Sequence, residues 1–215
     1  MSNSPRARRP TFVSPDSSSA PDTADDSARV APRRMPTSTR RVPRDSPERE
    51  TLAVVVQVSP ARLDWLEALV EGDDAFTERF GIAVETGWAG FPEALPAAVE
   101  TARRRPEDDP WGTHFFFADD GALVGLGGFY GPPVDGVVEI GYAVAPSRQG
   151  RGLATAAVDI LLARAAEAGV PVVIAHTLAE VNPSTGVLGK TGFVRTSVRN
   201  DPDLGEVWRW ERVTG

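Results

Sequence analysis

From residue 52 onward, short β-branched runs alternate with stretches whose apolar residues recur at helical spacing, separated by Gly and Pro. Residues 52–59 are an apolar run closed by Pro60, the pattern of a buried first strand. Ser59 is then placed to cap a helix with Pro60 at its first position, along which Leu63, Leu66, Leu69 and Val70 recur until Gly72. Residues 73–80 fit a second short helix, 81–90 a loop around Trp88, and 91–105 a third helix that breaks at Pro106. Residues 113–118, with three consecutive Phe, predict a strand, and Asp119-Asp120-Gly121 predicts a hairpin into a second strand over 122–130. After Gly131-Pro132-Pro133 a third strand is expected over 137–145, which completes an antiparallel meander.

The chain then changes period. Gly150 and Gly152 supply a tight turn, and a helix is predicted over 153–168, with Leu153, Ala157, Ile160, Leu161 and Ala165 forming an apolar stripe. Gly169 stops it, and residues 172–178 read as a strand. Strand, helix and strand in this order make a right-handed βαβ unit, so the strands on either side of the helix should run parallel. Residues 182–185 open a short helix that ends before Gly192, and residues 193–198 and 207–213 fit a closing hairpin carrying Trp208 and Trp210. The expected class is α+β: one domain over 51–215 with a mixed, mostly antiparallel twisted sheet of about six or seven strands and about four helices.

Composition separates this body from residues 1–50. That segment holds ten Arg, seven Asp or Glu, many Ser and Pro, and few large apolar side chains. It cannot bury enough surface to offset its ordering entropy and is expected to be a disordered tail. The tail carries a net charge of +3, whereas the remaining residues carry 13 basic and 23 acidic side chains, a net −10. An acidic body argues against nucleic acid as a partner and favours an amine-bearing acceptor.

The chain has no cysteine and only two histidines, so disulfides, thiolate metal sites and thiol nucleophiles are excluded, and no carboxylate cluster suggests another metal site. The Arg8-Arg9 pair lacks the apolar run that an export signal needs, and no segment is apolar over a membrane-spanning length. A cytoplasmic protein without a membrane partner, monomeric or homodimeric, is the expectation.

The candidate chemistry lies in the stretch from Glu139 to Thr155. A strand ending at Pro146 feeds a glycine turn, whose backbone can approach a ligand closely, and then a helix whose first amides are unpaired and carry the positive end of the dipole. Phosphate is the natural guest of such a turn. A P-loop reading is poor because no Lys-Ser or Lys-Thr follows the glycines. Along the strand, Glu139 shares a face with Gly141 and Ala143, small residues that leave room for a ligand, whereas Ile140, Tyr142 and Val144 point the other way.

Two motifs together carry a resemblance. Gln149-Gly-Arg-Gly152-Leu-Ala154 fits, at each fixed position, the pattern of Gln or Arg, two residues, Gly, one residue, then Gly or Ala. A second block runs from His176 through Asn182, Pro183 and Ser184 to Gly192-Phe193. With these, residues 50–213 resemble the GNAT superfamily of acetyl-CoA-dependent N-acetyltransferases, and the second block resembles its ribosomal-protein alanine acetyltransferase branch, the RimJ/RimL type. Gly189 departs from the branch, which usually has a charged helix former there, and Leu188 stands where many members of the superfamily place a tyrosine thought to protonate the leaving thiolate.

The resemblance implies acetyl-CoA as cosubstrate, no metal, and an amine acceptor, either a small molecule or a protein N-terminus. The implied cofactor site comprises the Val144 amide, Arg148, Gln149, Gly150, Arg151, Gly152, Leu153, Ala154, Thr155 and Asn182. Val144 matches the position whose amide polarises the thioester carbonyl, and one such donor contributes on the order of 3 kcal/mol. Glu139 is the candidate base for the attacking amine, although a strand carboxylate paired with Arg or facing water would look the same. Ser184 is the candidate partner of the departing sulfur, but Asn182, Ser184 and Thr185 are equally what a helix N-terminus uses as caps. His176 alternates with Ile174 and Leu178 and reads as a core histidine, as does His114. Trp88, Trp111 and Tyr130 can either line an acceptor pocket or pack. The loops over 81–91 and 131–136 are expected to choose the acceptor. An alternative to transfer is a GNAT-fold module that senses acyl-CoA without catalysis.

Overall fold

The computed structural model describes residues 54–105, 110–202 and 204–215. The expected tail over 1–50 and the expected break at Pro106 lie outside these residues. The elements in order are β1 (Val56–Pro60), α1 (Leu63–Glu71), α2 (Asp73–Phe80), α3 (Leu95–Arg104), β2 (Thr113–Ala118), β3 (Leu123–Phe129) and β4 (Val137–Val144). They continue with α4 (Leu153–Glu167), β5 (Val172–Leu178), α5 (Pro183–Lys190), β6 (Val194–Asp201) and β7 (Gly205–Val213). Among the described residues, seven strands make one sheet in the order β1-β2-β3-β4-β5-β7-β6, and five α-helices flank it where about four were expected.

One local expectation fails at the start. Pro60 does not open α1 and Ser59 does not cap it. Both residues extend β1, with Ser59 opposite Phe115 and Pro60 opposite His114, and α1 begins at Leu63 behind Arg62 without a side-chain cap. β1 is an edge strand, where a missing amide hydrogen costs little, so sheet pairing takes these residues. Arg62 instead reaches forward to Asp64 at 2.7 Å.

Each face of the sheet buries its own core. Val138, Ile140, Tyr142 and Val144 of β4 meet Leu153, Ala157, Val158 and Leu161 of α4 and Leu188 of α5. On the opposite face Phe115, Phe117 and Leu126 meet Leu66, Phe76, Leu95 and Val99 of α1, α2 and α3. The three consecutive Phe therefore serve both layers, because Phe116 points toward α4. Its ring lies over Gly125 and Gly127, and a Cβ on Gly127 would stand 2.6 Å from Phe116 Cζ.

The strand pairing positions the site. All neighbours are antiparallel except β4 and β5, which run parallel as the βαβ reading requires. That parallel pairing covers only Val137, Val138 and Glu139 against Val172, Val173 and Ile174, although the two strands continue to Val144 and Leu178. Beyond Glu139 the strands part, and a gap opens in the middle of the sheet.

Candidate active site

At the far end of β4 the chain makes a 3-10 turn over Pro146–Arg148 and enters α4 through Gly150 (φ 73°) and Gly152 (φ 84°). Both glycines occupy the left-handed region that other residues enter at a cost. Gly152 is the N-cap of α4 and offers no side chain, and the first helical bond runs from the Ala156 amide to the Gly152 carbonyl. The amides of Leu153, Ala154 and Thr155 therefore have no acceptor within the helix.

A cavity of about 320 Å³ opens here. The turn from Arg148 to Thr155, Arg151 excepted, lines it on one side, with Tyr142, Ala143 and Val144 at its floor and Ser184, Val187 and Lys190 of α5 opposite. Gln149 ties the turn to the strand end, its Nε2 donating to the Val144 carbonyl at 3.0 Å. Arg151 is exposed beside the cavity.

The Val144 amide has a definite direction. The Ala145 amide donates to Val124 of the β3 side at 2.8 Å. Successive residues of a strand alternate their hydrogen-bonding sides, so the Val144 N–H points away from β3 and into the gap that β5 vacates.

Arg148, at the cavity's edge, is held by two carboxylates. Its guanidinium is held between Glu85 at 2.7 Å and Asp120 at 2.8 Å, and Ser147 also donates to Glu85. That pairing holds the Glu85 carboxyl below its ordinary range, chiefly through Arg148 and then Ser147. Asp120 is lowered first by the Ala122 amide and then by Arg148. The side chain expected at a phosphate thus clasps the turn to the β2–β3 hairpin.

Glu139 lies where β4 and β5 part, and its Oε1 meets His176 Nδ1 at 2.8 Å. Parallel register brings the two to one face, because Glu139 stands opposite Ile174 and His176 follows two residues later. His176, read from the sequence as a core residue, is instead the carboxylate's partner.

On the other side of β4, Tyr142 OH donates to the Ser184 carbonyl at 3.1 Å, and burial pushes the tyrosine pKa up. Ser184 is itself buried at the cavity wall. Asn182 caps α5: its Oδ1 accepts from the Thr185 amide at 3.1 Å, and Thr185 Oγ1 accepts from the Asn182 amide at 3.2 Å. Leu188 is fully buried in the core. Trp88 is a packing residue, 2% exposed, and its Nε1 donates to Asp73. Tyr142 was not singled out from the sequence, although its alternation with Val144 in the strand places it toward α4.

Residues 57–194 match the family model described as the acetyltransferase (GNAT) domain. The chain belongs to the GNAT acetyltransferase family. It is accordingly an N-acetyltransferase, and GNAT acetyltransferases use acetyl-CoA. No curated protein sequence matches it.

Solved GNAT structures share the fold at low identity. The ribosomal-protein-S5-alanine acetyltransferase of Vibrio fischeri superposes with a TM-score of 0.56 at 13% identity, covering 74% of this chain and 93% of that one. RimJ of Mycobacterium smegmatis, solved with CoA-disulfide, gives 0.54 at 21%, covering 74% and 82%. The dodecameric spermidine N-acetyltransferase of Vibrio cholerae gives 0.55 at 14%, covering 74% and 94%.

The GNAT turn of this chain fits an anionic guest. An added Cβ at Gly150 would meet nothing within 4 Å, so the space in front of the turn is open, and the unpaired α4 amides border the cavity. Among the described residues no helix is long and apolar enough to cross a membrane.

Proposed function

We propose that this chain transfers acetyl from acetyl-CoA to a primary amine by direct attack, at the gap between β4 and β5. The direction of the Val144 N–H, into that gap and beside the turn, is the observation that carries the reading. Bound acetyl-CoA supplies a thioester carbonyl as electrophile and a thiolate as leaving group.

The chain's own residues then divide the work. Gln149 braces the turn through the Pro146 and Val144 carbonyls, the amides of Gly150, Arg151, Gly152, Leu153, Ala154 and Thr155 bind the pyrophosphate with the α4 dipole, and the exposed Arg151 flanks it. Arg148 fixes the turn through Glu85 and Asp120. The Val144 N–H donates to the acetyl carbonyl oxygen as charge develops on it. Glu139, oriented by His176, takes the proton that the amine loses as its nitrogen bonds to the carbonyl carbon. Ser184, whose backbone Tyr142 anchors, hydrogen-bonds the sulfur as the carbon–sulfur bond breaks. Asn182 holds the start of α5, and with it Ser184, in place.

Glu139→Gln tests the assignment. It keeps the side chain's size and removes its basicity, so kcat should fall by about 100-fold or more while the Kd for acetyl-CoA stays within about twofold. Unchanged turnover would remove Glu139 from the mechanism.

A further inference from the structure

The Pro146–Arg148 turn touches two parts of the molecule at once. In sequence it runs into the glycine turn at the start of α4. In space it is held by Glu85, which follows the short bridge between Val84 and Leu123. Both carboxylate oxygens of Glu85 are taken: Oε1 accepts from Ser147 Oγ at 2.8 Å and Oε2 from Arg148 Nε at 2.7 Å. A carboxylate held at both oxygens by adjacent residues has a fixed orientation, and its bond to the guanidinium is the strong, charge-assisted kind.

The segment that begins at Glu85 lies along β4. The Trp88 amide donates to the Glu85 carbonyl at 3.1 Å, and Trp88 itself is buried. Gly87 (φ 74°) packs on Pro146, since an added Cβ would stand 3.1 Å from Pro146 Cδ. Gly90 (φ 68°) packs on Ala143, where an added Cβ would stand 2.7 Å from Ala143 Cβ. Ala143 shares its face of β4 with Glu139 and Gly141, so residues 85–91 border the face that carries the reacting carboxylate. None of residues 84–91 lines the cavity at the glycine turn.

We propose that Glu85 is a positioning residue that links the two faces of β4: binding of CoA at the glycine turn orders residues 84–91, through Glu85, beside the face that carries Glu139. This rests on the reading of that turn as the cofactor site. A cofactor that restrains residues 149–155 also restrains residues 146–148, which lead into them, and the doubly held carboxylate passes the restraint to a segment outside the cofactor cavity. By linkage, an amine that orders the same segment tightens acetyl-CoA binding by the same factor.

Hydrogen exchange on the full chain, read by mass spectrometry with and without saturating CoA, tests this link and needs no acceptor. In the wild type CoA should slow exchange over residues 149–155 and, by about fivefold or more, over residues 84–91, whose Trp88 amide sits in a hydrogen bond that must open to exchange. In Glu85→Gln the slowing over 149–155 should persist, which reports a folded variant that binds CoA, while the slowing over 84–91 drops below about twofold. Asp120→Asn removes the other carboxylate on Arg148 and leaves Glu85 in place, so it should keep the slowing over 84–91. Residues 84–91 that do not respond to CoA, or that respond equally in Glu85→Gln, would overturn the proposal, as would loss of the response in Asp120→Asn. A wild type in which CoA leaves residues 149–155 unprotected would overturn the cofactor reading of the turn, and the link with it.

Discussion

His176 Nδ1 stands 2.8 Å from Glu139 Oε1 at the point where β4 and β5 cease to pair. A carboxylate whose acceptor geometry is fixed by a neighbouring donor loses less freedom on approaching a substrate proton. His176→Ala should therefore lower kcat about tenfold with the KM for acetyl-CoA unchanged, and His176→Asn, which keeps a donor, should recover part of the loss. Steady-state kinetics of the two variants decide it, since a purely structural histidine would give Asn no advantage over Ala.

The two turn glycines should differ. Gly150→Ala meets open space, so its cost is the left-handed backbone alone, about 1–2 kcal/mol. Gly152→Ala adds a contact 3.1 Å from Val54 Cγ2 and should be the less stable of the pair. Thermal unfolding checks the order, and both should weaken CoA binding, measured by calorimetry.

The Arg148 clasp sets a pH dependence. Glu85 and Asp120 have folded pKa values below their unfolded ones, so their stabilisation is complete above the unfolded carboxylate range. It is lost as pH falls below that range and through the folded values. Arg148→Met should accordingly lower Tm most near neutrality, with the gap to the wild type closing as pH falls below the ordinary carboxylate range. A gap that does not vary with pH would mean the clasp contributes packing and no charge.

Gly127 should tolerate no side chain. An added Cβ would meet Phe116 Cζ and the Gly141 carbonyl, both at 2.6 Å. Phe116 is fully buried and the carbonyl belongs to the neighbouring strand, so neither can yield cheaply. Gly127→Ala is expected to cost about 1–3 kcal/mol, read from denaturant unfolding.

Features encoded by neighbours in sequence were legible before folding. The period-2 run over 137–144, the glycines at 150 and 152 and the stripe of α4 together specified the βαβ unit, and strand alternation placed Glu139 opposite in face to Tyr142. Contacts made by distant residues were not. Arg148 meets Glu85 across 63 residues and Glu139 meets His176 across 37, and nothing in either local pattern announces its partner. The Asn182 block carried two meanings that only geometry separates: its side chain completes a capping box, while Ser184 faces the cavity. At Pro60, pairing with His114 outweighed the capping chemistry that Ser59 suggested.

Release of CoA thiol by the purified chain, followed with acetyl-CoA in the presence and absence of a primary amine, tests the central claim most directly. The account expects thiol release that depends on the amine and matches, mole for mole, the acetylated amine found by mass spectrometry. Acetyl-CoA that binds and raises Tm, yet releases no thiol with N-terminal peptides, polyamines or arylalkylamines, would contradict it and leave a sensor of acyl-CoA in its place.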